Sequence, residues 1–270
     1  VFSAYISLKN GKVPVISLRG TMTSFSFTHS NKIIKQTFHK WLGEKLLRKC
    51  ILHVTSDEER TKLQQFVSSS RIYTIPNLLD LPNSLTAKHK DEPYLKLIFI
   101  GRIHPVKNLE MLFEALRAIN TFSYQLQVVG EGEVSYMNNL KSKTADLPSI
   151  HWLGNIDGDE KFELLSNADL LALPSHIENF GNVVIEALSQ GTPVVVSGNV
   201  GAKEYILKHN LGWVVNVNEQ DWQNTLIKIA NDKASLRDMR MRAIECIAQD
   251  FDKTTQIEAY QRMYERSSQK

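Results

Sequence analysis

Residues 174–197 read PSHIENFGNVVIEALSQGTPVVVS, and the parsing of this stretch decides the architecture. Leu170, Leu171, Ala172 and Leu173 precede it as a short apolar run. Val183 to Leu188 form an apolar helical run in its middle, and Val194, Val195 and Val196 close it. The order is strand, loop, helix, strand, the repeating unit of a parallel sheet covered by helices. The loop-to-helix junction ENFGN presents backbone N–H groups and a positive dipole end, which suits a phosphate. Yet Glu178 stands before that junction and Glu186 within the helix, and a carboxylate beside an anion cradle needs a reason of its own.

The alternation continues outward. LKLIFI (95–100), QLQVVG (125–130), IHWLG (150–154), LLALP (170–174), PVVVS (193–197) and GWVVN (212–216) read as strands, with helical patterns between them and further helices to the C-terminus. Residues 93–250 therefore form a complete doubly wound parallel sheet. Upstream, VPVISL (13–18), ILHVTS (51–56) and RIYTIP (71–76) read as strands of an incomplete domain of the same kind over 1–92. Its tail, 77–93, loses periodicity between prolines and serves as linker. The expected fold class is α/β with two Rossmann-like domains. The segment 31–50 predicts a long helix with Ile33, Ile34, Phe38, Trp41, Leu42 and Leu46 at helical spacing, and Ser56 with Glu59 predicts a capping box. Residues 251–270 predict a last helix carrying Ile257, Tyr260 and Tyr264 on one stripe.

With 270 residues, 42% of them apolar and 23% charged, the composition is that of an ordinary globular chain with a sizeable core. Cys50 and Cys246 stand apart without CxxC or metal spacing, which favours a reduced, cytoplasmic setting over a disulfide framework. The apolar runs are too short to span a bilayer, and the first residues show no signal-peptide pattern. The net charge of +3 conceals an asymmetry. Residues 1–90 hold 14 Lys and Arg against 5 Asp and Glu, whereas residues 91–270 hold 18 against 24. The basic half points to an anionic partner, and no nucleic-acid motif accompanies it. Lys32, Lys35, Lys40, Lys45, Arg48 and Lys49 interleave with the apolar stripe of the 32–50 helix. That helix reads either as core-packed with a solvated basic face or as a peripheral anchor on anionic membrane.

Ligands of an open parallel sheet bind beyond the carboxyl ends of its strands. Three junctions there carry suitable residues. In GRIHPVKN (101–108), Gly101 permits a tight turn and Arg102 and Lys107 can converge on an anion. The glycines of GEGE (130–133) allow close backbone approach. Gly181 and the N–H groups after it form the strongest cradle. Each motif alone is more often a plain turn; their coincidence on one sheet edge favours a site. Glu186 lies in a helix that is apolar nearly all round, so it should be buried. A buried carboxylate must accept hydrogen bonds, either within a salt bridge to Lys or Arg or from the hydroxyls of a bound phosphate ester.

ENFGNVVIEALSQGTPVV resembles the signature of the retaining, two-Rossmann-domain (GT-B type) glycosyltransferases of family 4, with two Glu separated by seven residues and flanking Phe-Gly. GRIHPVKNLEMLFEAL resembles the Gly-Arg and Lys donor loop of that family, and VVGEGE, WLGNI, VTSDEER and IPN follow its order. VISLRGTM is similar to the branch that builds bacterial surface polysaccharides. The resemblance implies that Arg102 and Lys107 bind the donor diphosphate with Gly101, Phe180, Gly181 and Asn182 around them. It implies that Glu186 accepts from the ribose, that Glu178 faces the sugar, and that Asn155 and Ile156 lie near the base. Asn179 stands where the family more often has Gly. The activity implied is hexosyl transfer with retention from a nucleotide-sugar donor to a sugar or lipid-linked saccharide acceptor, without cofactor or metal, in the cytoplasm, either free or peripheral on the inner face of the membrane. The resemblance also places another half-domain before Val13, leaving Arg19 and Gly20 as the acceptor-side residues; without it the chain is expected to bind donor, whether or not it transfers sugar. It further implies that residues 251–270 cross back onto the first domain, the plain alternative being a terminal helix on the second.

Asp157-Gly158-Asp159 has a metal-binding spacing in some glycosyltransferases, but the helical run that follows favours helix capping. The eight His show no zinc spacing, and His104 and His176 stand out by lying in the two donor loops. Two other classes fit the same residues: a nucleotide-sugar epimerase and a non-catalytic nucleotide-sugar-binding partner.

Overall fold

A computed structural model describes residues 2–19, 44–69, 71–82, 89 and 92–268. Gly20 and most of the 32–50 helix, including its apolar residues 33–42, lie outside the described residues. The chain divides into two compact units, Val1–Leu79 with Phe251–Lys270, and Asp80–Asp250. No helix among the described residues is long and apolar enough to cross a membrane.

The first unit contains α1 (Phe2–Lys9), β1 (Val15–Ser17), α2 (Glu44–Leu47), β2 (Ile51–Val54), α3 (Asp57–Gln64), β3 (Ile72–Thr74) and α11 (Lys253–Ser268). Its sheet is parallel in the order β1-β2-β3. Strand alternation gives β2 two buried faces. Leu52 and Val54 join Ala4, Leu47 and Leu63 on one side, while Ile51 packs with Ile75 and Met263 of α11 on the other. Tyr260 of α11 donates its hydroxyl to the Pro76 carbonyl at 3.1 Å. The helix α3 opens as the Ser56 and Glu59 spacing predicts, with Ser56 Oγ accepting from Glu59 N–H at 3.2 Å. The return bond falls one residue earlier than a capping box requires: Glu59 Oε2 accepts from Thr55 N–H at 2.7 Å.

His53 lies inside β2 and is 2% exposed. Its Nε2 meets the Ile75 carbonyl at 2.8 Å, an acceptor, so Nε2 carries the proton. Nδ1 then accepts from Ser17 Oγ at 2.8 Å. Burial pushes this imidazole below its ordinary pKa, with Arg19 adding to the shift and the Ile75 bond and Glu59 opposing it.

The second unit runs β4 (Leu95–Ile100), α4 (Leu109–Arg117), β5 (Tyr124–Val129), α5 (Val134–Lys143), β6 (Ile150–Gly154), α6 (Gly158–Asn167), β7 (Leu170–Leu173), α7 (Asn182–Ser189), β8 (Val194–Ser197), α8 (Lys203–His209), β9 (Gly212–Val215), α9 (Glu219–Asn231) and α10 (Lys233–Asp250). Its strands form one parallel sheet in the order β6-β5-β4-β7-β8-β9. Strands sandwiched between helix layers are apolar on both faces. Accordingly, every residue of β7 and β8 is buried. The order reverses between β4 and β7, which pair directly through Leu97–Leu170 and Ile98–Leu171. The fold is thus two parallel-sheet α/β domains of Rossmann type.

Candidate functional site

At the reversal of a doubly wound sheet, the two flanking loops leave in opposite directions and a crevice opens beyond the strand ends. Here those loops are 101–108 after β4 and 174–181 after β7, and three bonds fasten them together. His176 N–H donates to the Val106 carbonyl at 2.8 Å, Asn108 Nδ2 donates to the Pro174 carbonyl at 3.4 Å, and Lys107 Nζ donates to Glu178 Oε2.

The first loop is shaped locally. His104 Nδ1 accepts from Val106 N–H at 3.1 Å and starts a single 3-10 turn, Pro105–Lys107. Asn108 then takes a left-handed backbone, φ 58°, before α4 begins; Asn tolerates this better than most residues. Lys107 is thereby presented to Glu178. Arg102 is exposed and has no hydrogen-bond or ion-pair partner among the described residues. Gly101 N–H donates to the Val129 carbonyl at 3.0 Å.

The glycines of GEGE serve a purpose other than the expected one. A Cβ on Gly130 would lie 2.0 Å from the Gly101 carbonyl oxygen, and one on Gly132 would lie 1.9 Å from that of Ile103. The close approach they permit is made by the neighbouring loop of the same unit.

In the second loop, Gly181 has φ 87° and occupies the N-cap position of α7, where no side chain caps the helix. Phe180 and Gly181 are buried, and Asn182 is exposed. The loop is held from behind by residues 198–202 beyond β8. Glu178 N–H donates to the Asn199 carbonyl at 3.2 Å, Gly201 N–H to that of Glu178 at 3.0 Å, and Ala202 N–H to that of Phe180 at 3.0 Å. A Cβ on Gly201 would sit 1.8 Å from the Asn179 carbonyl oxygen. Sequence reasoning missed Gly201 and this brace; the signal was Gly198-Asn199-Val200-Gly201, a glycine pair just past a strand end.

Glu186 is half-buried where full burial was expected. On α7, Val184, Ile185, Ala187 and Leu188 take the core stripe, while Val183, Glu186 and Ser189 recur on a partly exposed one. Lys161 of α6 supplies the salt bridge, its Nζ 3.0 Å from Glu186 Oε1. Asn155 and Ile156 follow β6 at the same carboxyl edge, and Asn155 Nδ2 donates to Asp157 Oδ2 at 2.9 Å. That bond corrects the capping assignment: Asp157 occupies the N-cap position of α6, but its side chain makes no cap bond. No cluster of three metal-ligating side chains exists among the described residues. Arg19 belongs to the first unit, exposed just beyond β1 with φ 42°.

Two Rossmann-like units with a cation-bearing crevice at the strand reversal define an α/β protein of the GT-B class. Residues 83–246 match the family described as Glycosyl transferases group 1, and the chain belongs to it. It is 27% identical over 240 residues to the Escherichia coli UDP-Gal:alpha-D-GlcNAc-diphosphoundecaprenol alpha-1,3-galactosyltransferase, covering 79% of this chain and 60% of the relative. An uncharacterized glycosyltransferase of Methanocaldococcus jannaschii is 34% identical over 122 residues, 44% of this chain and 31% of the relative. The chain thus spans less than two thirds of either protein. Among solved structures, Anabaena HepE in complex with UDP matches with a TM-score of 0.81 at 20% identity, covering 99% of this chain and 75% of that one.

Proposed function

We propose that this chain carries the donor site of a glycosyltransferase that moves a hexosyl group from a nucleoside-diphosphate sugar to an acceptor hydroxyl, with retention. The observation that carries this reading is the meeting of Lys107, Glu178 and the start of α7 at the strand reversal, with Arg102 on the same loop. Breaking the bond between the anomeric carbon and the phosphate oxygen sends its electron pair to the diphosphate and leaves positive charge on the sugar. Lys107, Arg102 and the helix start offset the first charge. The acceptor oxygen then bonds the anomeric carbon on the face the diphosphate leaves, and the departing phosphate oxygen takes the acceptor proton. Side-chain cations supply the charge, so the proposed reaction needs no metal or cofactor.

Glu186 accepts from the ribose, and Asn155 and Ile156 line the base. Without donor, Glu178 neutralises Lys107; an incoming diphosphate competes for that lysine and frees Glu178 toward the sugar. Arg19, with Gly20, serves the acceptor. The E. coli relative, which by its name acts on a diphosphoundecaprenol-linked sugar, and the basic first half support a lipid-linked acceptor at a cytoplasmic membrane face, in bacterial surface polysaccharide or glycolipid synthesis.

The test is titration with UDP-, GDP- and ADP-sugars, followed by assay of released nucleotide with and without saccharide acceptors. Binding with acceptor-dependent release is expected. Sugar epimerised without acceptor identifies an epimerase, binding without release by any acceptor identifies a binding partner, and binding of none of the donors refutes the donor site. Glu178→Gln is expected to tighten UDP about 5-fold, since breaking a partly exposed ion pair costs about 1 kcal/mol, while slowing transfer. Weaker UDP binding by that variant would rule out the exchange.

A further inference from the structure

We infer that Lys161 is a positioning residue for the nucleoside end of the donor: it holds the Glu186 carboxylate oriented to receive the ribose hydroxyls. This rests on the donor reading above. Lys161 lies in DEKFELL, a pattern that would pass for a solvated helix face, yet its side chain is 18% exposed and that of Glu186 is 17%. The contact joins α6 to α7 at 3.0 Å and engages Oε1.

Three observations set it apart from an ordinary tie between helices. First, the helices are already fastened: the Thr192 hydroxyl, just past α7, donates to the Leu165 carbonyl of α6, and both residues are fully buried. A partly exposed ion pair adds little to such a joint. Second, the ammonium is confined, with Nζ 4.8 Å from the centroid of the Phe162 ring, so the charge is held over an aromatic face beside the carboxylate. Third, Glu186 follows Gly181 by five residues, about 7.5 Å along the helix axis at 1.5 Å per residue, on the helix whose start faces the crevice. A nucleotide with its diphosphate at that start brings its ribose along α7 toward Glu186.

A carboxylate only accepts, which is what a diol requires of its receptor, and a cation held against Oε1 fixes which way the group faces. Lys161 therefore acts on the donor through Glu186.

Calorimetry with UDP and 2′,3′-dideoxy-UDP on the full chain separates the two roles. For the unaltered chain, loss of the hydroxyls is expected to weaken binding about 10- to 30-fold, the worth of hydrogen bonds to a charged acceptor. Glu186→Ala should abolish that difference. Lys161→Met should weaken UDP about 10-fold, bring the difference to about 2-fold, and leave dideoxy-UDP nearly unaffected. Lys161→Arg should restore most of it, and Lys161→Gln replaces the Met variant should that one melt early. If Glu186→Ala abolishes the hydroxyl difference and both neutral Lys161 variants keep it, Lys161 is only a tie between helices. If Glu186→Ala keeps it, the ribose role of Glu186 fails first, whatever Lys161 does.

Discussion

In the smaller unit a histidine sits within the central strand, with Ser17 on one ring nitrogen, the Ile75 carbonyl on the other, and the Tyr260 ring edge-on at 5.3 Å. In the larger unit β7 reads Leu-Leu-Ala-Leu, and polar chemistry gathers beyond the strand ends, where Lys107 meets Glu178. The difference separates two kinds of polar group. His53 has spent both nitrogens on fixed neighbours, so it locks strands together and has nothing left for a ligand. Lys107 and Glu178 are bound to each other by an ion-paired hydrogen bond between side chains beyond the strand ends, and such side chains can change partners when a competing ion arrives.

The sharpest way to break this comparison is Lys107→Ala. If the strand-end cation is the working group, kcat/KM for transfer falls about 1,000-fold, the scale of losing one preorganised charge at a developing anion, with little change in melting temperature. A stability loss with activity intact would place Lys107 in the same category as His53. Next is Gly201→Ala, whose Cβ would collide with the Asn179 carbonyl. It is expected to cost about 2–4 kcal/mol in the unfolding of the larger unit and to weaken nucleotide binding as well, because the displaced loop carries Glu178 and Gly181.

In the smaller unit, His53→Gln should cost about 1–3 kcal/mol of stability, the penalty for disturbing buried hydrogen bonds, with donor affinity unchanged. The unaltered unit should also show a pH dependence. The folded pKa of His53 is below the unfolded value of about 6.5, so its contribution is complete above that pH and is lost as pH falls through the folded pKa. Denaturation between pH 5 and 8 checks this, and the variant should lack that slope. The smallest effect is assigned to Asp157→Ala. A capping carboxylate would cost about 1 kcal/mol, whereas one bonded to Asn155 on the surface should cost under about 0.5 kcal/mol.

Legibility in the sequence followed the same division. LKLIFI and IHWLG were readable to the residue although neither is an unbroken apolar run: Lys96 interrupts the central strand β4, and β6, at the sheet edge, leaves His151 and Leu153 exposed. The loops GRIHPVKN and PSHIENFG were readable as site candidates because glycine, cations and the position after a strand coincide. The pairing of Lys107 with Glu178 and of Lys161 with Glu186 was not, since each joins residues from different strand–helix units and depends on the strand order. Glu186 misled through local periodicity: its neighbours are apolar, but its own stripe recurs with Val183 and Ser189. His53 left no pattern at all, because one polar residue in ILHVTS looks the same whether it is satisfied or exposed.

The brace of residues 198–202 behind residues 178–180 bears on any attempt to re-engineer this chain. Exchanging ENFG alone for the matching segment of another member of the family would put new side chains on a backbone whose path is dictated by Asn199, Gly201 and Ala202. The portable cassette is the pair of segments taken together, and a library that randomises 178–182 while freezing 198–202 would sample side chains but scarcely any new loop geometry.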